Sequence, residues 1–177
     1  MKYLIATIAS LFYGQTLFAQ DFAGTILYVE AGGLGGAWTV NAEYNLFNKK
    51  KWHGQFRVGY GQYNIFNPER EFRGIPISFS FFDRMTNHHK EIGFGVSYLE
   101  GMTEGYDDEL SKSIYVAPLI AYRFQRKEGG FFLKLQYLPM IKLSQLTDNI
   151  VFKRTVGKLY HYPGLAIGYY LNKKKTN

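Results

Sequence analysis

Full charges and glycines occupy the same face of successive extended segments in this chain. The alternation is clearest in "AWTVNAEYNLF", residues 37–47. Trp38, Val40, Ala42, Tyr44 and Leu46 are apolar, and Thr39, Asn41, Glu43 and Asn45 between them are polar. A period of two describes a β-strand with unlike faces. The pattern predicts eight strands: Thr25 to Gly33, Ala37 to Phe47, Trp52 to Asn64, Arg73 to Phe82, Lys90 to Glu100, Lys112 to Phe124, Gly130 to Ile141 and Leu159 to Leu171. The count is even, and each is close to the ~9–11 residues that a tilted strand needs to cross a bilayer. The second, fourth and sixth connections are short, and the third, fifth and seventh are longer. This is the pattern of a barrel with short turns on one side of a membrane and longer loops on the other. The first connection departs from it. "GGLGG", Gly32 to Gly36, predicts a tight glycine hairpin where a long loop belongs.

Alternation alone does not say which face points inward. One face is bulky and apolar throughout: Leu27, Val29, Ala31, then Trp38 to Leu46 in steps of two, Phe56, Val58, Tyr60, Ile75, Ile77, Phe79, Phe81, Ile92, Phe94, Val96 and Tyr98. It continues through Val116, Ile120, Tyr122, Phe131, Leu133, Leu135, Tyr137, Leu165, Ile167, Tyr169 and Leu171. The opposite face carries Tyr28, Thr39, Asn41, Gln55, Ser78, Ser80, Ser97, Tyr115 and Gln136 with Glu30, Glu43, Glu91, Arg57, Arg123 and Lys134. It also carries Gly59, Gly61, Gly93, Gly95, Ala117, Ala121, Gly164, Ala166 and Gly168. Glycine weakens a strand, and on a face bathed by water that cost has no return. Inside an eight-stranded barrel, barely wide enough for side chains, small residues make room for large charged ones. The ionic face therefore points inward and the apolar face outward, toward lipid. A Lys or Arg on the outer face would cost about 2–4 kcal/mol at mid-bilayer. Buried ions need partners. Three acids and three bases, Glu30, Glu43, Glu91, Arg57, Arg123 and Lys134, form a predicted polar network that plugs the lumen.

The chain has 177 residues, enough for one domain, and no Cys, which excludes disulfides, thiolate metal sites and a Cys nucleophile. Mean hydropathy is -0.21, and no apolar run is long enough for a spanning helix. Residues 1–20 read as an export signal: Lys2, the apolar "YLIATIASLFYG", then "QTLFAQ" with cleavage after Ala19 or Gln20. The mature barrel is residues 21–177.

"TILYVEAGGLGGAWTVNAEYNLF", "APLIAYRFQRKEGGFFLKLQYLP" and the closing "PGLAIGYYL" resemble the small eight-stranded outer-membrane barrels of Gram-negative bacteria, of OmpA-type and OmpX-type architecture. They are also similar to a set of uncharacterised exported barrel proteins with a glycine-rich first turn. The resemblance covers the whole mature chain and is specific for architecture, not for activity. It implies an outer-membrane location and the barrel-assembly machinery as a partner in biogenesis. That machinery reads a closing aromatic residue in such families. Here Tyr169, Tyr170 and Leu171 are followed by six more residues.

Some small barrels act on lipid A through a His and a Ser on the lipid-facing wall. His161 shares the outward phase of Leu165 and Ile167, but Pro163 stands two residues on, and the aliphatic hydroxyl nearest in sequence is Thr155. An interfacial His is the simpler reading. His88 and His89 are adjacent, which suits a solvated turn and not a metal pair. His53 shares the lumen phase of Gln55 and Arg57. "EGYDDEL", residues 104–110, lacks the spacing of a specific Ca²⁺ loop. Lys49 to Lys51, Arg126, Lys127 and Lys173 to Lys175 fall on the periplasmic side, toward anionic headgroups. Lys153, Arg154 and Lys158 fall on the outer side, toward lipopolysaccharide phosphates. Pro76, Pro118, Pro139 and Pro163 lie within predicted strands and mark bends or missing donors.

The sequence thus describes an all-β, eight-stranded antiparallel up-and-down transmembrane barrel behind a signal peptide. The expected role is structural or surface-interaction, without catalysis, cofactor, metal or nucleic acid, in a monomer among outer-membrane lipids and lipopolysaccharide. The alternatives are a lipid A acyl hydrolase using His161, a narrow gated channel, and a soluble exported lipid carrier.

Overall fold

A computed structural model describes residues 24–49, 52–64, 70–83, 87–103, 111–126, 128–145, 157 and 159–171. The predicted signal segment, the 104–110 loop and Lys153, Arg154 and Lys158 lie outside the described residues. The strands are β1 (Thr25–Gly32), β2 (Trp38–Lys49), β3 (Trp52–Asn64), β4 (Arg70–Asp83), β5 (His88–Thr103), β6 (Ser111–Gln125), β7 (Gly130–Gln145) and β8 (Leu159–Leu171). Each pairs antiparallel with the next, and β8 pairs with β1, closing an up-and-down barrel. Closure leaves no sheet edge, and the ladder is continuous except at short interruptions between β3 and β4 and between β6 and β7. The end carrying Thr25 and Leu171 is called the near end, and the opposite one the far end. β4, β5 and β7 extend further at the far end than the alternation of apolar residues alone suggests.

The inside–outside assignment follows the predicted phase. Most outward apolar side chains are exposed, up to 62% at Ile120, while Phe56, Phe79, Phe81, Tyr98, Val116 and Leu133 are half-buried. Tyr44, Trp52, Tyr122, Phe131 and Tyr169 ring the near end of this surface, and Trp38, Tyr60 and Tyr137 ring its far end. Two strands slip phase: β7 at Leu143, where Ile114↔Ser144 is followed by Tyr115↔Lys142, and β2. The register steps from Asn45↔Gln55 to Phe47↔Gly54, a bulge at Leu46. Phe47 therefore takes the outer face predicted for Leu46. Its ring lies over Gly54 and beside Phe79 and Phe81, at centroid distances of 6.4 and 5.9 Å. An extra residue in one strand exchanges the two faces for the remainder of that strand.

Two expectations are corrected by the interior. The lumen is not polar throughout. Leu99, Tyr115, Ala117, Leu119, Leu138 and Met140 form a buried apolar layer toward the far end, and Ile26, Tyr28, Phe132, Ala166 and Tyr170 a second one toward the near end. Large apolar side chains fill the volume that a neutral ion cluster leaves, and packing there recovers dispersion contacts. The first connection is also more than a tight hairpin. Gly33–Gly35 forms a short 3-10 turn with Leu34 fully buried in the far apolar layer. Gly32 and Gly33 have φ of 72° and 73°, a conformation open to glycine. A Cβ on Gly95 would meet Leu34 Cδ2 at 2.4 Å, so that glycine makes the space Leu34 occupies.

Candidate functional site

The six charged residues of the predicted network come from six strands, and each is at most 1% exposed. Strand alternation aims all of them at the barrel axis. The structure divides them into two groups. Arg57 Nη2 lies 2.9 Å from Glu30 Oε2, and Arg57 Nε donates to Asn41 Oδ1 at 2.9 Å. The Asn41 amide donates in turn to Thr39 Oγ1 at 2.9 Å. A Cβ on Gly59 would sit 2.0 Å from Asn41 Oδ1, so this glycine gives the acceptor its room.

The other four form a closed circuit. Arg123 Nη2 lies 2.6 Å from Glu43 Oε1 and 2.7 Å from Glu91 Oε2. Lys134 Nζ lies 2.9 Å from Glu43 Oε2 and 3.3 Å from Glu91 Oε1. Arg123 also donates through Nη1 to Gln125 Oε1 at 3.1 Å. Each carboxylate bridges both cations, and each cation bridges both carboxylates. The circuit ties β2 and β5 to β6 and β7 across the lumen.

Arg123 and Lys134 are direct cross-strand neighbours. Like charges placed opposite one another repel, and only Glu43 and Glu91, reaching from other strands, make that pairing tolerable. Aromatic faces complete the surroundings. The Arg123 guanidinium lies 4.7 Å from the Phe82 ring and 5.1 Å from that of Phe132, and Lys134 Nζ lies 5.3 Å from that of Tyr28. Rings so placed attract cations without adding charge. Phe82 and Phe132 escape a reading of the sequence because partners of this kind carry no polarity signal.

The histidines take distinct places. His53 is buried and stacks on Phe82, with centroids 5.1 Å apart. His88 and His89 are not in a turn, as expected, but within β5 on opposite faces. His88 faces outward, hydrogen-bonded to the Tyr122 hydroxyl, and His89 is buried against Phe82. Pairing with β6 carries the strand back through both residues, because His88 opposes Phe124 and His89 opposes Arg123. His161 is exposed on the outer wall, and its Nδ1 pairs with the Tyr137 hydroxyl. The rings stack at 5.8 Å with an interplanar angle of 21°. Sequence proximity points to Thr155, which lies outside the described residues. The β7–β8 register, with Pro139 opposite His161, brings up Tyr137 instead. Among the described residues no three His, Cys, Asp or Glu side chains gather as a metal site requires.

These features define a class: a closed eight-stranded antiparallel barrel with an ionic interior and an apolar exterior, the reverse of a soluble lipid-carrying barrel. No protein-family model and no curated protein matches the chain. Among solved structures it is similar to the crystal structure of Neisserial surface protein A, at 15% identity and a TM-score of 0.47, over 85% of this chain and 94% of that one.

Proposed function

We propose that the chain is an integral outer-membrane β-barrel protein with a structural or surface-interaction role, and that its lumen is closed to solutes. The observation that carries the membrane reading is the outer surface. Between its aromatic levels stand Leu27, Val29, Val40, Val58, Ile77, Ile92, Phe94, Val96, Ile120, Leu135, Leu165 and Ile167, all at least 37% exposed. A soluble monomer rarely tolerates so continuous an apolar surface. A bilayer requires one, together with a backbone that satisfies itself. The closed lumen is supported by side chains that meet across the axis, with the ionic circuit at one level and the Leu34 layer at another.

A non-catalytic role is favoured by His161 on the outer wall, whose Nδ1 pairs with the Tyr137 hydroxyl in place of an acid or an aliphatic hydroxyl. Lys153, Arg154 and Lys158 are proposed to meet lipopolysaccharide phosphates, and the barrel-assembly machinery to insert a monomer. Fractionation followed by unheated and heated detergent electrophoresis tests the reading. The expected result is membrane-fraction protein that resists salt washing and migrates faster unheated. Release by high salt would refute it. Stable, large conductance in planar bilayers would refute the closed lumen.

A further inference from the structure

The β6–β7 seam is interrupted. The ladder runs to Val116↔Ile141, breaks, and resumes at Ile120↔Tyr137. The unmade pairs are Ala117 with Met140, Pro118 with Pro139 and Leu119 with Leu138. The ladders on the far sides of the same residues are intact, with Phe94 opposite Pro118 and Pro139 opposite His161. In an antiparallel strand, alternate residues bond to alternate neighbours. Both prolines therefore stand where β6 and β7 should exchange hydrogen bonds, and neither has an N–H to give. Loss of that one rung removes the pairs on either side of it as well.

Both faces of the wall are apolar at this place. Ala117, Leu119, Leu138 and Met140 all point into the far apolar layer, the buried cluster to which Leu34 also belongs. Outside stand Ile120 and, at the edge of the seam, the Tyr137–His161 pair. The second interruption, between Val58↔Ile77 and Gly61↔Gly74, differs because Pro76 there is buried near Gly59, beside Asn41. Leu34 is carried on a three-residue turn joined to β1 and β2 by glycines, and Gly32 N donates to Ala37 O at 2.7 Å across its base. It is a single aliphatic side chain carried on a turn and not on a barrel strand.

We propose that the far apolar layer is a binding site for one hydrocarbon chain of a membrane lipid, entering between β6 and β7 at the Pro118–Pro139 rung and taking the place of Leu34. The inference rests on the proposed membrane location. The occupant is hydrocarbon because the seam opens on the apolar outer surface and leads to the apolar side chains of Ala117, Leu119, Leu138 and Met140. A hydrocarbon chain also makes no demand on a rung that has two carbonyls and no donor. Tyr137 and His161 supply polar groups at the mouth for the lipid's ester or headgroup.

The test uses the full barrel refolded in vesicles containing a phosphatidylcholine with a diazirine midway along one acyl chain. After photolysis, peptide mapping locates the adducts. Adducts on Leu34 and Leu119, in addition to Ile120 and Leu135, are expected. Labelling of Ile120 and Leu135 with none on the two interior residues overturns the proposal and leaves the membrane reading standing. Absence of label from Ile120 and Leu135 overturns both. Because the chain has no native cysteine, the double variant Ala117→Cys/Met140→Cys supplies a lock across the seam. Oxidation is expected to abolish interior labelling and reduction to restore it, with outer labelling unchanged. Interior labelling that survives the lock refutes entry at this seam.

Discussion

Replacing Glu43 by Gln separates a working ion circuit from a mere collection of buried charges. In the native barrel Glu43 serves Arg123 at 2.6 Å, Lys134 at 2.9 Å and the Tyr28 hydroxyl at 3.5 Å. The substitution keeps the volume and removes one negative charge. Glu91 then faces two cations alone, at 2.7 Å from Arg123 and 3.3 Å from Lys134. Breaking a buried pair from one side typically costs ~3–5 kcal/mol, because the other charge stays buried. Glu91 still holds both cations, which places the expected loss near the lower bound, about 3 kcal/mol, or roughly a hundredfold in the folded-to-unfolded ratio. Lys134→Met alone should cost a similar amount, since two carboxylates then share Arg123.

The double variant Glu43→Gln/Lys134→Met restores neutrality around Arg123 and Glu91. It should lose less than the sum of the single variants by about 2–3 kcal/mol. Equilibrium urea titrations in lipid vesicles, read by tryptophan fluorescence and by the heat-dependent gel shift, give all three values. Losses that add to within about 0.5 kcal/mol would refute the circuit as a unit.

Phe94→Arg places a charge on the outer wall and should cost about 2–4 kcal/mol in the same vesicle titration, whereas a water-exposed position would tolerate it. Gly33→Ala meets φ of +73° and would bring a Cβ to 2.0 Å from Glu30 Oε1. It should destabilise the barrel by about 1–3 kcal/mol, and protease cleavage near Gly33 should accelerate. Phe47→Ala uncovers Gly54 and removes ring contacts with Phe79 and Phe81, with an expected loss of about 1–2 kcal/mol in the vesicle titration because the site faces outward.

The inward or outward sense of each strand was legible because a two-residue period leaves only two choices, and the shared face of Gly59, Asn41 and Arg57 decides between them. The outward place of Phe47 is not legible, because a bulge costs one residue of phase and leaves no mark in composition. Leu99, Leu119, Leu138 and Met140 were in the inward phase all along, and the expectation of a polar interior hid them. The burial of Leu34 depends on where a turn folds after its strands are placed, which local sequence does not encode. The partners within the network were also beyond reach. Glu43 and Arg57 oppose one another in register, yet Arg57 pairs with Glu30, and Glu43 spans the lumen. That choice is made by cross-barrel distances. Tyr137 and His161 needed the β7–β8 register.

The placement of Arg123 and Lys134 side by side on the β6–β7 hairpin bears on the order of biogenesis. A sheet of β5, β6 and β7 alone already sets Glu91 beside the two cations, because β5 pairs directly with β6. It leaves one positive charge without a counter-ion, and Glu43 on β2 reaches it only when the ring is nearly shut. The last step of neutralisation thus coincides with closure, and a partly assembled wall carries an unmatched cation into the bilayer.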